Sequence, residues 1–333
     1  MEHCRMPQWI SKAGVVVIGR NEGERLSKCL ESVVGRTALV VYVDSGSVDG
    51  SVALARRLGV EAIELDREMP FTAARARNEG FERVRQLARD LTYIQFVDGD
   101  CEVVPGWIEG AVAFLEAHPD VAVACGRRRE RHPAQSLYNT LCDMEWDTPI
   151  GEAKACGGDA LIRADVLEEV GRYKADVIAA EDTELCVRIR AAGWRIWRLD
   201  LEMTLHDAAM TRFGQWWRRA IRTGYAFAQG AFMHGSPPEC HFVWESRRAW
   251  LWGIWLPLVC LAAGLAFRPW GWVVCLIYPL QIVRQTIRNA GTPRRRALLA
   301  VFQVLARFPE GYGQIKFLRD RLLGGQTAII EYK

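Results

Sequence analysis

The segment YIQFVDGDCEVVPGWI, residues 93–108, runs from a β-forming stretch, Tyr93–Val97, directly into Asp98-Gly99-Asp100, after which Pro105 opens a helix expected over Gly106–Ala117. Runs of the same kind flank it: VVVI at Val15–Ile18, ALVVYV at Ala38–Val43, VEAIEL at Val60–Leu65 and VAVAC at Val121–Cys125. Helical patterns lie between them. Leu26, Cys29, Leu30 and Val33 share one face, and Val52, Ala55 and Leu58 share another, closed by Gly59. Strands alternating with helices predict an α/β domain with a mostly parallel central sheet covered on both faces. A ligand of such a sheet sits at the carboxyl ends of its strands, so the residues just after each apolar run carry the chemistry.

Those residues are polar and acidic: Arg20-Asn21-Glu22 after the first run, Asp44-Ser45-Gly46-Ser47-Val48-Asp49-Gly50 after the second, and Asp98-Gly99-Asp100 after the fourth. Two carboxylates in D-x-D spacing at a strand end suit a hard divalent cation, which prefers oxygen ligands and also holds a diphosphate. By itself D-x-D is common, and an acidic loop is usually a solvated turn. The order of the segments makes the argument.

In that order the chain resembles the family 2 glycosyltransferases of the GT-A fold, from Val15 to about His206. VVVIGRNEGERLSKCLESV is similar to the family's opening strand and helix, and VVYVDSGSVDGS to its second strand and Asp-Gly-Ser turn. FTAARARNEGF resembles the segment bearing Ala-Arg-Asn, FVDGDCEVVPGWI the D-x-D strand, and AEDTELCVRIRAAGW the Glu-Asp helix start. The resemblance implies an inverting, membrane-associated transferase. Asp44 would lie near the base and Glu22 near the ribose of the nucleotide, Arg77 would seat the diphosphate, and Asp98 would lie near ribose and metal. Asp100 would ligate Mg²⁺ or Mn²⁺, with His206 as a third ligand; the alternative for His206 is a structural histidine. Asp182 would be the base for the acceptor hydroxyl and Glu181 its fallback. Its alternative is an ordinary helix N-cap. Gly157-Gly158-Asp159 resembles the acceptor-side loop, which makes Gly158 and Asp159 acceptor-binding candidates.

The length of 333 residues gives one large or two ordinary domains with a full core. Near balance of charge, net +3, gives no reason to expect nucleic acid as partner. The ten cysteines lack a C-x-x-C pair or zinc spacing and are expected as buried thiols of a reducing compartment. Residues 1–14 lack the apolar stretch of a signal peptide, so the catalytic domain, residues 1–210, is expected to face the cytoplasm.

Beyond it the composition changes. Residues 211–235 carry Phe213, Trp216, Ala220, Gly224, Phe227 and Ala231 at helical spacing, which suits an amphipathic interface helix or an ordinary packed one. Trp250–Phe267 is uncharged over 18 residues; with Trp270–Val283 it predicts a membrane hairpin within residues 248–290, followed by an amphipathic tail, 291–333. Arginines crowd both outer ends, which fits both ends cytoplasmic. Gln215-Trp216-Trp217-Arg218-Arg219 keeps the Gln and first Arg of the Q-x-x-R-W motif of processive members but not its Trp, leaving Trp217 and Arg218 as acceptor-side candidates in a single-sugar transferase. The expected donor is a nucleoside-diphosphate sugar, UDP favoured, and the acceptor a lipid-linked or other glycan at the cytoplasmic membrane. Rival readings are a polyprenyl-phosphate glycosyltransferase, a nucleotidyltransferase and a catalytically silent sugar-nucleotide-binding membrane protein.

Overall fold

A computed structural model describes residues 10–324, which divide into two compact units between Ala209 and Met210. The N-terminal unit contains, in order, β1 (Ala13–Gly19), α1 (Glu24–Val33), β2 (Leu39–Asp44), α2 (Ser51–Arg57), β3 (Glu61–Glu64), α3 (Ala73–Leu87), β4 (Tyr93–Asp98), β5 (Cys101–Val103) and α4 (Trp107–Ala117). There follow β6 (Val121–Glu130), α5 (Leu137–Glu145), β7 (Gly151–Ala153), β8 (Ala160–Arg163), α6 (Ala164–Glu169), α7 (Glu181–Ala191) and β9 (Arg195–His206). They form one sheet in the order β3-β2-β1-β4-β8-β6-β9-β5, with β7 on β9.

The expected parallel sheet is half of what forms. β3, β2, β1 and β4 are parallel, each joined by a helical crossover, whereas β8 enters antiparallel between β4 and β6, and β5 and β7 pair antiparallel with β9. The sheet is therefore mixed. The apolar runs of β8 and β9 carry no mark of direction, since burial on both faces erases alternation for either sense. β6 and β9 also run well past the apolar stretches Val121–Cys125 and Trp194–Leu199, into polar residues whose pairing is interrupted by register shifts around Arg127 before it resumes at Arg128–Glu130.

The core lies on both sheet faces, with Val15, Val16, Val17, Val41, Val43, Phe96 and Val97 fully buried. Thr72 caps α3 by accepting from the Arg75 amide at 3.0 Å, and the helix then lies close on β1 and β2. Gly80 makes that approach possible, because a Cβ there would stand 2.3 Å from Val16 Cγ1 and 3.0 Å from Val43 Cγ2. Gly80→Ala is therefore expected to destabilise by about 1–3 kcal/mol, the usual cost of overpacking. Thermal denaturation checks it; an unchanged or raised midpoint would show that the strands yield.

The C-terminal unit is helical: α8 (Phe213–His234), α9 (Val243–Trp250), a π-type turn at Leu251–Trp255, α10 (Leu256–Ala266), a 3₁₀ stretch Trp270–Leu276, α11 (Ile277–Arg288), α12 (Pro293–Leu305) and α13 (Arg307–Leu322). Val243–Ala266 forms one 24-residue helical stretch, apolar and long enough to cross a membrane. Leu251, Trp255, Leu258, Phe267, Trp270 and Leu280 stand exposed along it and its continuation. The stripe on α8 is used differently from the interface expectation. Trp216, Ala220, Gly224 and Ala228 are buried inside this unit, and α13 packs on α8 so closely that a Cβ on Gly224 would lie 2.1 Å from the Glu310 carbonyl oxygen. Tyr225 meets Phe317 edge-on at 5.3 Å, and Gln314 donates to the Gly224 carbonyl at 2.9 Å. The segment expected as an amphipathic tail thus supplies, in α13, a packed helix of the unit; the remainder of that tail, residues 325–333, lies outside the described residues.

Candidate active site

The parallel register sets the site. Asp44 ends β2 beside Gly19, and Asp98 ends β4 beside Ile18, so two carboxylates flank the carboxyl end of β1. Asp44 is buried and engaged: its Oδ1 accepts from the Tyr42 hydroxyl at 2.8 Å, and its Oδ2 from the Gly46 and Ser47 amides at 2.9 and 2.7 Å. Burial, with Asp44 beside it, pushes the Tyr42 phenol well above its ordinary value, which keeps it a donor. The loop so shaped is tied to the one after β1. Asn21 accepts from the Val48 amide at 2.8 Å, its own amide donates to Ser47 Oγ at 2.9 Å, and the Gly23 amide donates to Asp49 at 2.9 Å. Glu22 pairs with Arg25 at 2.7 Å.

Arg77 projects from α3 into the protein, 2% exposed. Its guanidinium pairs with Asp98 at 2.7 Å on one side and with Glu181 on the other, and lies over the Tyr173 ring. Burial opposes its charge, but Asp98 and Glu181 more than offset this and hold its pKa above the ordinary value. One buried cation thereby joins the strand bearing the D-x-D segment to the start of α7. Gly158 completes the contact, since a Cβ there would meet Arg77 Nη2 at 2.5 Å.

Asp159 is placed differently from expectation. It is wholly buried, accepts from the Asp98 amide at 3.0 Å and Thr204 Oγ1 at 2.7 Å, and pairs with Arg128 at 2.9 Å. A carboxylate so enclosed has no surface to offer an acceptor; it fixes the ends of β4 and β9. Arg128 also lies 3.6 Å from Asp98 and over the Trp146 ring.

At α7 the backbone enters through Ala180 in a left-handed conformation, φ 61°, and no side chain caps the helix. Asp182 is inside the first turn rather than the N-cap, its Oδ1 accepting from the Thr183 amide at 2.9 Å. Glu181 is committed to Arg77. Burial first, and then the Glu181 charge, raise the Asp182 carboxyl from its ordinary value to about 7, with Arg77 and Arg128 working in the opposite direction. A carboxylate titrating near neutrality is suited to proton transfer.

The antiparallel pairing of β5 with β9 puts His206 opposite Cys101, so His206 Nε2 comes within 3.3 Å of Asp100 Oδ2, both side chains buried. Asp100, Cys101 and His206 form a group able to hold a metal ion, and Asp98, Cys101 and Asp159 another. The donor sets decide between them. The second group lies against the Arg128 cation, while the first presents a carboxylate and the imidazole Nε2 facing it at 3.3 Å. Burial pushes the Cys101 thiol, common to both groups, well above its ordinary value. Asp100 and His206 therefore fit a divalent cation. Asp98, expected with them, is turned to Arg77 and Arg128. Trp217 and Arg218 lie on α8 of the other unit, Trp217 against Phe213 and Trp216, Arg218 exposed.

Several residues of the site were not read from the sequence: Arg128, Glu130, Trp146 and Tyr173. The charged run Arg127–Glu130 resembles a solvated turn after VAVAC, and only its continuation as β6 makes it part of the site.

The architecture is the GT-A fold. Residues 14–171, just under half the chain, match the profile of Glycosyl transferase family 2, a match that supports a glycosyltransferase of that kind. It is 24% identical over 322 residues to Glycosyltransferase AglE of Haloferax volcanii, spanning 91% of this chain and 95% of that protein. It is 27% identical over 198 residues to the succinoglycan biosynthesis protein ExoA of Rhizobium meliloti, spanning 56% and 60% of the two. Among solved structures it is similar to the mannosyltransferase PcManGT of Pyrobaculum calidifontis in complex with GDP-Man and Mn²⁺, with a TM-score of 0.57, 21% identity, and 95% and 89% of the two chains covered.

Proposed function

We propose that this glycosyltransferase moves a sugar, with inversion, from a nucleoside-diphosphate sugar to a hydroxyl of a lipid-linked or other glycan acceptor at the cytoplasmic face of a membrane. The observation that carries the reading is the Arg77 bridge, which holds the D-x-D strand and the Glu181-Asp182 helix start in one constellation. Asp182 is the base, free because Glu181 is spent on Arg77, and its raised pKa lets it take the acceptor proton near neutral pH. Asp44 and Glu22 frame the nucleoside: Asp44 shapes the loop on which the base lies, and Glu22 faces the ribose. Arg77 and Asp98 position the diphosphate end, the guanidinium acting through the carboxylates it orients. Asp100 and His206 hold the cation, Mg²⁺ or Mn²⁺, which when bound neutralises charge on the departing nucleoside diphosphate. The imidazole favours Mn²⁺. The apolar helix Val243–Ala266 anchors the chain in lipid.

The ligand of the structural neighbour puts GDP beside UDP as a donor nucleotide to be tested. The experiment is a thermal-shift panel on detergent-purified protein with UDP, GDP, CDP and dTDP, each with and without Mn²⁺. One nucleotide is expected to stabilise only with metal, by RT ln(1 + [L]/Kd), about 2.7 kcal/mol at a hundredfold excess over Kd. A well-folded sample that responds to none would remove the nucleotide assignment.

A further inference from the structure

Glu130 is a buried carboxylate of the N-terminal unit that no catalytic role absorbs. It ends β6, where the register places it directly beside His206 of β9, on the side opposite Cys101. Its side chain is wholly buried. Oε1 accepts from the His132 amide at 3.0 Å and from Asn139 Nδ2 at 3.2 Å, and Oε2 accepts from the Ala208 amide at 3.1 Å. Oε2 also lies 3.7 Å from His206 Nδ1, the ring nitrogen turned away from Asp100. Asn139, wholly buried, adds a bond to the His132 carbonyl at 3.1 Å, and the edge of Trp146 closes on the imidazole at 4.7 Å.

A buried carboxylate costs several kcal/mol to desolvate unless charged or hydrogen-bonding groups surround it. Three donors satisfy Glu130 in part; the remaining partner within reach is the imidazole, whose own Nδ1 has no other. From this juxtaposition, and on the reading that Asp100 and His206 hold the divalent cation, we infer that Glu130 is a positioning residue for the metal histidine. It holds the Nδ1–H tautomer of His206, so that the Nε2 lone pair points toward Asp100 and the cation. Because Oε2 also receives the Ala208 amide, the same carboxylate fixes the chain just after His206, and ring orientation and backbone are set together. Carboxylates in this relation to a ligating histidine typically contribute 10–100-fold in metal affinity.

The test measures Mn²⁺ uptake by the full-length detergent-purified protein, from loss of the free-ion electron paramagnetic resonance signal, with nucleoside diphosphate present. Glu130→Gln is expected to weaken Mn²⁺ at least about tenfold, whereas in a His206→Ala background the same change adds no further loss. A purely structural Glu130 would lower the melting temperature yet leave the Mn²⁺ affinity of the folded fraction unchanged; that result, or full additivity with His206→Ala, overturns the inference. Should Glu130→Gln not fold, the wild-type protein still decides. With ¹⁵N-labelled histidine and Mg²⁺, His206, assigned by its absence in His206→Ala, is expected as the Nδ1–H tautomer, and the Nε2–H form overturns the proposal. Failure of wild-type protein to take up Mn²⁺ at all would instead strike the cation assignment on which the inference rests.

Discussion

Asp182→Asn is expected to lower sugar transfer by about 10²–10⁴-fold, the range for loss of a positioned base, while raising the melting temperature at pH 8. The two effects have one cause. Burial and the neighbouring Glu181 charge hold the Asp182 proton up to about 7, against an ordinary value of 3.8. Between those values the folded protein binds a proton that the unfolded chain has released, so stability falls as pH rises through that window. Above about 7 both states are ionised at this position and the full penalty of a buried charge is present. Asparagine removes that penalty. The gain in melting temperature should be largest at pH 8 and fade toward pH 4, measured by thermal denaturation across that range. The same titration shapes the wild-type rate: kcat/KM should rise with pH along a limb centred near 7, since only the ionised carboxylate accepts a proton. Glu181→Gln should behave differently. It strips Arg77 of a buried partner, which costs stability. If Asp182→Asn kept activity and Glu181→Gln lost it without unfolding, the two carboxylates would exchange roles.

Which parts of this were legible before the structure follows from how local each signal is. The strands β1, β2 and β4 and the loops after them are written in contiguous residues, and Asp44, Asp98 and Asp100 fall at strand ends because a β-branched run gives way there to Gly and Asp. The antiparallel half of the sheet is written nowhere locally, because a buried strand reads the same in both directions. The polar residues were the hardest to place. The resemblance assigns Arg77 to the diphosphate, but nothing local shows that it lies inside, charged, between two carboxylates. Asp159 looked like a loop carboxylate beside two glycines, and its burial follows from Arg128 and Thr204, distant in sequence. The stripe of α8 was visible, but an amphipathic helix has the same spacing whether lipid or another helix covers it; Gly224 and Gly313 mark the helix here. In each case residue type named the chemistry and tertiary pairing chose the partner.

Asp100→Ala, or removal of metal by chelation, is expected to lower transfer by about 10²–10³-fold, which corresponds to the several kcal/mol that a Lewis acid contributes where charge develops. Asp100 is the oxygen donor of the buried pair with His206, and its removal leaves an imidazole alone, a set too poor for a hard cation. Two measurements separate this from general damage. Nucleotide should no longer stabilise Asp100→Ala in a Mn²⁺-dependent way, and its residual activity should be indifferent to chelator. Wild-type protein, by contrast, should lose activity to chelator and regain it on adding Mn²⁺. Asp98→Asn provides the control from the neighbouring position. It disturbs Arg77 and Arg128 rather than the Asp100–His206 pair, so it should reduce activity and stability while leaving Mn²⁺ uptake close to wild type. Loss of Mn²⁺ uptake in Asp98→Asn but not in Asp100→Ala would move the cation to the group formed by Asp98, Cys101 and Asp159. That outcome would require the cation to sit against Arg128, where two positive charges oppose each other in a buried setting. A cation on Asp100 and His206 avoids that repulsion, and the pair of variants tests which site it takes.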